Sequence, residues 1–129
     1  MVALKTHIAK IALAFLIITG CYADSKEAES TRYRLFTTNN IWNFIQLDTQ
    51  TGRIWQVQYS IQDNHSGGTI INSENLAKHK KAIVGRFTLY PTNNMWNFIL
   101  LDQVDGDTYQ VQWSFEAKNR FVTPINIMK

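Results

Sequence analysis

Hydrophobic and polar positions alternate strictly along two similar stretches of the chain. The first runs Trp55-Gln56-Val57-Gln58-Tyr59-Ser60-Ile61, and the second runs Tyr109-Gln110-Val111-Gln112-Trp113-Ser114-Phe115. A period of two is typical of a β-strand with one buried face. The glutamines are therefore expected outside. The residues predicted to face the core are Trp55, Val57, Tyr59 and Ile61, with Tyr109, Val111, Trp113 and Phe115 as their counterparts.

These stretches belong to a duplication in which residue n of the first copy corresponds to residue n + 54 of the second. Trp42-Asn43-Phe44-Ile45 recurs as Trp96-Asn97-Phe98-Ile99, and both copies continue without a gap. We predict an all-β fold, with two tandem antiparallel β-meander repeats packed as one pseudo-two-fold sandwich or partly open barrel. A repeat of this length also suits a propeller blade, but a propeller needs at least about four blades, more than one chain supplies.

The chain divides into five segments. Residues 1–20 are predicted to be a signal peptide and 21–31 a flexible tether. Residues 32–72 form β repeat 1, 73–85 a linker with a short helix, and 86–129 β repeat 2. The two repeats are expected to form one domain, because a lone meander of this size cannot bury its aromatic face.

Each copy contains the same predicted hairpin turn between its second and third strands. It begins at Asp48 in the first copy and at Asp102 in the second, and it ends at Gly52 and Gly106. An Asp at the start of a turn accepts hydrogen bonds from nearby backbone N–H groups, and Gly adopts positive φ without strain. This local role accounts for both aspartates without a catalytic one.

The N-terminus has the pattern of an export signal. Lys5 and Lys10 precede an apolar run over residues 11–18 that is too short to span a membrane. The sequence Ile18-Thr19-Gly20-Cys21 resembles the lipobox of bacterial lipoprotein precursors, in which the cysteine is acylated. The resemblance implies lipidation of Cys21, a membrane partner through that lipid, and a location in the bacterial cell envelope.

Two further resemblances concern location. Tyr22 follows the cysteine where many inner-membrane lipoproteins carry Asp, which favours the outer membrane. The acidic, serine-containing stretch over residues 24–30 is similar to surface-export signals of Bacteroidetes lipoproteins, so surface exposure is a further expectation. Residues 32–126 resemble duplicated segments of small lipoproteins of gut Bacteroidetes, a resemblance that implies no known activity.

Charge and residue types exclude several functions. Lys5 and Lys10 are the only charged residues in the signal segment, so its removal lowers the net charge from +3 to +1. A nearly neutral body offers no basic patch for nucleic acid. His65 and His79 lie in predicted loops, and the single cysteine is assigned to the lipid. We therefore expect no catalytic residues, no metal site and no cofactor.

Aromatic rings beside amides remain as candidate binding groups. Rings cover the apolar C–H surface of a sugar or peptide while amides bond to its polar groups. The alternative is that the tryptophans fill the core, which is favoured for Trp42 and Trp96. The candidate binding residues are Trp42, Asn43, Trp96, Asn97, Gln56, Gln58, Gln110 and Gln112.

The sequence thus predicts a non-enzymatic, lipid-anchored envelope domain that binds a glycan, a peptide or an envelope protein. Edge strands also leave room for self-association. The alternative is a small secreted hydrolase or protein inhibitor that acts through a loop of one repeat, such as residues 65–68.

Overall fold

The computed structural model describes residues 31–62 and 64–128, and the folded body forms two four-stranded antiparallel sheets. The predicted signal peptide, Cys21 and most of the tether lie outside the described residues. The first sheet contains β1 (Tyr33–Thr37), β2 (Asn43–Asp48), β3 (Ile54–Gln58) and β4 (Gly67–Asn72). The second contains β5 (Phe87–Pro91), β6 (Asn97–Asp102), β7 (Thr108–Gln112) and β8 (Phe121–Ile125).

Strand order follows the chain in both sheets, so each repeat is a simple meander. The registers are equivalent: Phe44 faces Val57 across β2 and β3, and Phe98 faces Val111 across β6 and β7. A β-bulge at Ile54/Trp55 shifts the register between β3 and β4. The all-β class and the two meander repeats predicted from the sequence are confirmed.

Each sheet has two distinct faces, because successive side chains on a strand point to opposite sides. We call one the amide face; it carries Asn43, Ile45, Leu47, Ile54 and Gln56 in the first copy and Asn97, Ile99, Leu101, Thr108 and Gln110 in the second. We call the other the aromatic face; it carries Tyr33, Leu35, Phe44, Trp55 and Val57 in the first copy and Phe87, Leu89, Phe98, Tyr109 and Val111 in the second.

The two copies bury opposite faces. The first sheet turns its amide face to the core, so that Ile45, Leu47 and Ile54 are fully buried. The second sheet turns its aromatic face to the core, where Phe87 and Val111 are equally inaccessible. Since a two-fold axis would bring equivalent faces together, the repeats are related by a front-to-back step and not by the expected pseudo-two-fold exchange.

This packing corrects several predicted orientations. In the first copy Tyr59 and Ile61 are exposed and Trp55 and Val57 are only half-buried, while Gln56, predicted outside, is 3% exposed. In the second copy Val111 and Trp113 are buried as predicted, Tyr109 is half-buried and Phe115 is exposed. The side chains alternate as predicted. In the first copy, however, the face that packs on the partner sheet is the one that carries Gln56, which was predicted to lie outside.

The linker helix predicted over residues 73–85 is not formed, and this segment consists of turns and bends. The Asn75 side chain accepts a hydrogen bond from the backbone N–H of Ala77, a local turn that competes with a helix. Ala77 and Leu76 pack on the core, and the Leu76 N–H donates to the Thr51 carbonyl. The linker is thus held by tertiary contacts along its length.

The predicted hairpin turns are confirmed in both copies. The carboxylate of Asp48 accepts from the N–H of Gln50, and that of Asp102 accepts from Val104. Gly52 and Gly106 have φ of 77° and 78°. The only helical element of the described residues is one 3₁₀ turn at Ala117–Asn119, and none of them belongs to a helix long and apolar enough to cross a membrane.

Candidate functional site

Four of the predicted binding residues form two equivalent pairs that support the sheets. Gln56 Nε2 donates to Asn43 Oδ1 at 3.2 Å, and Gln110 Nε2 donates to Asn97 Oδ1 at 2.8 Å. Asn43 and Gln56 are buried. They are therefore structural in this fold, whereas Asn97 and Gln110 lie half-buried on the outer side of the second sheet.

Gln56 also joins the two sheets. Its Oε1 accepts hydrogen bonds from the backbone N–H of Ser114 and from Nε of Arg120, both at 3.3 Å. Arg120 in turn donates to the carbonyls of Ser114 and Phe115. A buried glutamine with all these partners is satisfied, so its burial carries no desolvation penalty from an unpaired amide.

The two equivalent tryptophans differ in environment. Trp96 packs on Trp113 with ring centroids 4.5 Å apart and lies against the core, in line with the core role expected for it. Trp42 packs on Tyr59 at 5.2 Å but remains 36% exposed, so the core role is wrong for Trp42. The cause is the front-to-back packing, which buries Trp113 between the sheets and leaves its equivalent, Tyr59, outside.

Trp42 lines a groove at the end of the sandwich where the β1–β2 and β3–β4 loops meet. We call it the end groove; its volume is about 400 Å³. A polar extension of about 210 Å³ shares Gln58, His65 and Phe115 with it. The residues that line the end groove are Asn40, Trp42, Asn43, Gln58, Tyr59, Ser60, Ile61, Gln62, His65 and Phe115.

The loops around the end groove are fixed by short polar contacts. Asn40 Oδ1 accepts from the backbone N–H of Trp42 at 2.9 Å, which fixes the main chain that carries the indole, and the ring itself packs on Tyr59. Thr38 Oγ1 donates to the Asn43 carbonyl at 2.8 Å and closes the same turn. Ser66 Oγ accepts from the N–H of Ser60 and ties the two ends of the β3–β4 loop. Trp42 is therefore held in place before any ligand arrives.

The end groove carries groups suited to ring stacking and neutral hydrogen bonding, together with one imidazole, that of His65. It combines apolar rings with amide and hydroxyl groups, and no Asp or Glu lines it or its extension among the residues that the structure describes. His65 is exposed in its loop, as expected. Such a surface offers ring stacking and neutral hydrogen bonds to a ligand rich in hydroxyls.

The structure brings together some predicted binding residues and not others. Trp42, Asn43 and Gln58 line the end groove, and Gln56 borders its polar extension. Trp96, Asn97 and Gln110 belong to the other repeat and do not line this groove. Gln112 there donates to the Asn119 carbonyl at 3.0 Å.

Few of the remaining lining residues are recognisable from the sequence. Alternation predicts that Tyr59, Ile61 and Phe115 face the core, and all three are exposed. The exposure of Tyr59 and Ile61 depends on which sheet face is buried, and the contribution of Phe115 depends on how the two copies dock. Asn40 alone carries a usable signal, because the Thr-x-Asn turn before each tryptophan recurs in both copies.

A second polar cluster lies at the opposite end, in the β6–β7 turn. One carboxylate oxygen each of Asp102, Asp105 and Asp107 lies within 4.8 Å of the others, and Lys80 Nζ contacts the three at 2.7 to 3.3 Å. Arg86 Nε lies 3.0 Å from Asp102. The hydrogen bond to Asp105, with those to Asp107 and Asp102, raises the pKa of Lys80. Two cations of the protein, Lys80 and Arg86, thus offset two of the three negative charges of the cluster.

Each copy keeps an arginine–aspartate pair at this end. Burial of Asp102 opposes its ionisation, but the N–H groups of Asp105 and Val104, together with Arg86 and Lys80, outweigh burial and hold its pKa below the usual range. The pKa of Asp48 is also lowered, because Arg32 and the N–H of Gln50 outweigh its burial. These pairs stabilise the hairpin turns. Because the charged groups at this end have that structural role, the end groove is the candidate functional site.

No protein-family model, curated protein or solved structure matches this chain. A functional assignment therefore depends on the geometry of the end groove and on the sequence motifs. The class that the structure itself defines is an all-β domain of two stacked meander repeats.

Proposed function

We propose that this protein is a non-enzymatic, lipid-anchored domain of a bacterial cell envelope that binds glycans through the end groove. The observation that carries the proposal is an exposed, pre-positioned indole, Trp42, surrounded by amides. Asn40 and Gln62 lie in the same groove as Tyr59, and Gln58 joins it to the polar extension. A sugar presents one apolar C–H face and a rim of hydroxyls, which matches a ring bordered by amides.

The location follows from the N-terminal pattern. An export signal that ends in Ile18-Thr19-Gly20-Cys21 supports acylation of Cys21, and Tyr22 after it supports the outer membrane. Glycans of the envelope or its surroundings are the ligands that such a location would bring to the end groove. The groove is neutral, so it suits an uncharged sugar better than it suits a strongly acidic or basic ligand.

Glycan binding is tested with an array of bacterial and host glycans, followed by titration of the best binder with tryptophan fluorescence as the readout. Trp42→Ala is expected to weaken binding about five- to thirtyfold, because a stacked ring contributes on the order of 1–2 kcal/mol. Trp42→Phe should recover part of the affinity. The matched control is Val104→Ala, which shortens an exposed apolar side chain in the β6–β7 turn.

Two results would contradict this function. The first is the absence of binding to any glycan of the array by the wild-type chain. The second is an unchanged affinity for Trp42→Ala, which would place the ligand elsewhere on the molecule. Equal losses for Trp42→Ala and Val104→Ala would also count against the groove, since Val104 lies at the other end.

The lipid anchor is tested independently. Cells fed a palmitate analogue should label the wild-type chain, and Cys21→Ser should remain unlabelled because it lacks the acceptor thiol. The blotted amount of each protein serves as the control for expression. Equal labelling of the two chains would remove the anchor from the proposal and leave the glycan site to stand alone.

The hydrolase or inhibitor alternative depends on the loop at residues 65–68. His65 borders both the groove and its extension, but binding groups dominate the described lining. His65→Ala separates the two functions, because a hydrolase that uses this histidine would lose turnover with little change in affinity. A binding protein would show at most a modest change in affinity.

A further inference from the structure

The outer faces of the molecule carry the same two surfaces that form its core. The aromatic face of the first sheet lies outside, with Leu35 59% exposed, while its equivalent in the second copy, Leu89, is 3% exposed. The amide face of the second sheet also lies outside, with Tyr90 51% exposed, while its equivalent Phe36 packs against the core. Each outer face is therefore a copy of an inner face that is already packed.

Residue identities on the outer faces match those of the buried interface. On the aromatic face Leu35, Phe44 and Val57 are identical to the buried Leu89, Phe98 and Val111. On the amide face Ile99 and Leu101 are identical to the buried Ile45 and Leu47. Contiguous apolar side chains on an exposed sheet face mark an interaction surface.

A polar contact of the interface is kept as well. Inside the molecule, the amide of Gln56 is oriented by Asn43 and accepts from Ser114 of the facing repeat. On the outer face, Gln110 is oriented by Asn97 in the same way. The equivalent of Ser114 in a facing first repeat is Ser60, whose N–H donates to Ser66 Oγ in the single chain and would have to exchange that partner for Gln110. The outer amide face thus presents the same hydrogen-bonding group at the same place.

We propose that the chain self-associates head to tail, with the outer aromatic face of one copy on the outer amide face of the next. The occupant of both faces is a second copy of this chain, because the intramolecular interface already shows that these two surfaces fit. The contact repeats the front-to-back step of the monomer and differs from strand addition at a sheet edge. It does not depend on the proposed glycan binding.

The assembly is expected to close into a ring. A heterologous contact leaves one free face at each end until rotation brings the ends together. Four-stranded sheets stacked front to back close after roughly four to eight sheets. With two sheets in each chain, the ring would contain about two to four chains. The same contact would cover Tyr59 as Trp113 is covered and pack Trp42 as Trp96 is packed, so assembly and glycan binding at the end groove compete.

The test is native mass spectrometry of the purified full chain, released from detergent at concentrations up to about 100 μM. The expected result is a discrete oligomer of two to four chains. Leu35→Glu on the aromatic face and Tyr90→Glu on the amide face should each give a monomer. The matched control, Val104→Glu, places the same charge at an exposed apolar position off both faces and should keep the wild-type mass.

Mixing the two monomeric variants separates a head-to-tail contact from a symmetric one. The Leu35→Glu chain keeps its outer amide face and the Tyr90→Glu chain keeps its outer aromatic face, so the mixture should form a one-to-one heterodimer and nothing larger. Circular dichroism and thermal unfolding show whether each variant is folded. Either variant that fails to fold is replaced, by Tyr33→Glu on the aromatic face or Ile125→Glu on the amide face.

Several results would overturn the proposal. A wild-type monomer would mean that another part of the chain or another molecule covers these faces. An open-ended polymer would exclude ring closure. Full assembly by either single variant would mean that only one face is used, as in a symmetric dimer. These outcomes are measured as the mass of the assembly, whereas glycan binding is measured by titration of the monomer, so the two proposals fail separately.

Discussion

The two repeats share strand order, register and turn geometry, yet each exposes what the other buries. Phe87 and Leu89 lie in the core of the second copy, while the equivalent Tyr33 and Leu35 lie on the surface of the first. The comparison teaches that local sequence determines the meander, whereas docking between the copies decides which face is inside. The same comparison explains why Trp42 is available for a ligand and Trp96 is packed away.

The largest expected effect comes from a crossed set of leucine substitutions. Leu47→Ala and Leu89→Ala each remove a buried side chain from the core and should lower the free energy of unfolding by about 3 kcal/mol. The equivalent changes Leu101→Ala and Leu35→Ala should cost about 1 kcal/mol or less, because these side chains are half-buried and exposed respectively.

The measurement is urea unfolding followed by fluorescence. It is made at the lowest workable protein concentration, because burial between chains would add to the cost at the two outer leucines. The crossed pattern is the critical result. Large losses at Leu47 and Leu101 together, with small losses at Leu35 and Leu89, would mean that both copies bury their amide faces.

An intermediate effect is expected at the two turn glycines. Both have positive φ, so replacement by Ala costs about 1 kcal/mol at Gly106, where nothing lies within 4 Å of the added Cβ. At Gly52 the added Cβ would lie 2.9 Å from Cδ1 of Leu76, so the linker must also shift and the loss should be about 2 kcal/mol.

Thermal unfolding of both Gly→Ala variants checks this difference, and the double change Gly52→Ala with Leu76→Ala serves as its control. When it is measured in a Leu76→Ala background, Gly52→Ala should cost no more stability than Gly106→Ala does, because the leucine side chain that the added Cβ would meet is gone. Equal losses at the two glycines in the wild-type background would show that the linker does not pack on the first turn as described.

The smallest expected effects are those of low pH on the free energy of unfolding and of salt on the pKa of the two turn aspartates. A carboxylate whose pKa is lowered by folding stabilises the fold above its unfolded pKa of about 3.9, and that stabilisation is lost as the pH falls through the folded value. Both Asp48 and Asp102 are in this class. Unfolding free energy should therefore be steady above about pH 5 and fall at lower pH.

Salt should separate the two aspartates. Arg32, the partner of Asp48, is half exposed, while Arg86 beside Asp102 is buried. NMR titration of the carboxyl carbons is expected to give a pKa below about 3.9 for both groups, and 1 M salt should raise the value for Asp48 more. A larger salt response at Asp102 would contradict the burial of its ion pairs.

The strands and turns were predictable because their signals are local. Alternation around Val57 and Val111, and the Asp-to-Gly turns at Asp48 and Asp102, each depend on a few neighbouring residues. The buried face was not predictable, since alternation distinguishes two faces without saying which one meets a partner. In this chain both faces are apolar, as Leu35 on one and Leu47 on the other illustrate.

The candidate site was predictable only in part. Trp42 beside an amide is visible in the sequence, but its exposure depends on docking between the copies. Phe115 reaches the end groove from the second repeat, so no reading of the first repeat alone includes it. The prediction of a helix in the linker was wrong for a related reason. Leu76 and Ala77 pack on the core, and these contacts outweigh a weak local tendency towards a helix.

Front-to-back stacking also has a consequence for how such a protein can grow. A pair built on a two-fold axis is complete once it forms, because each partner has used the same surface. A stacked pair always ends in one unused surface of each kind, so a third repeat appended in tandem would find its docking surface already made. Gene duplication could therefore lengthen this molecule one unit at a time without inventing a new contact.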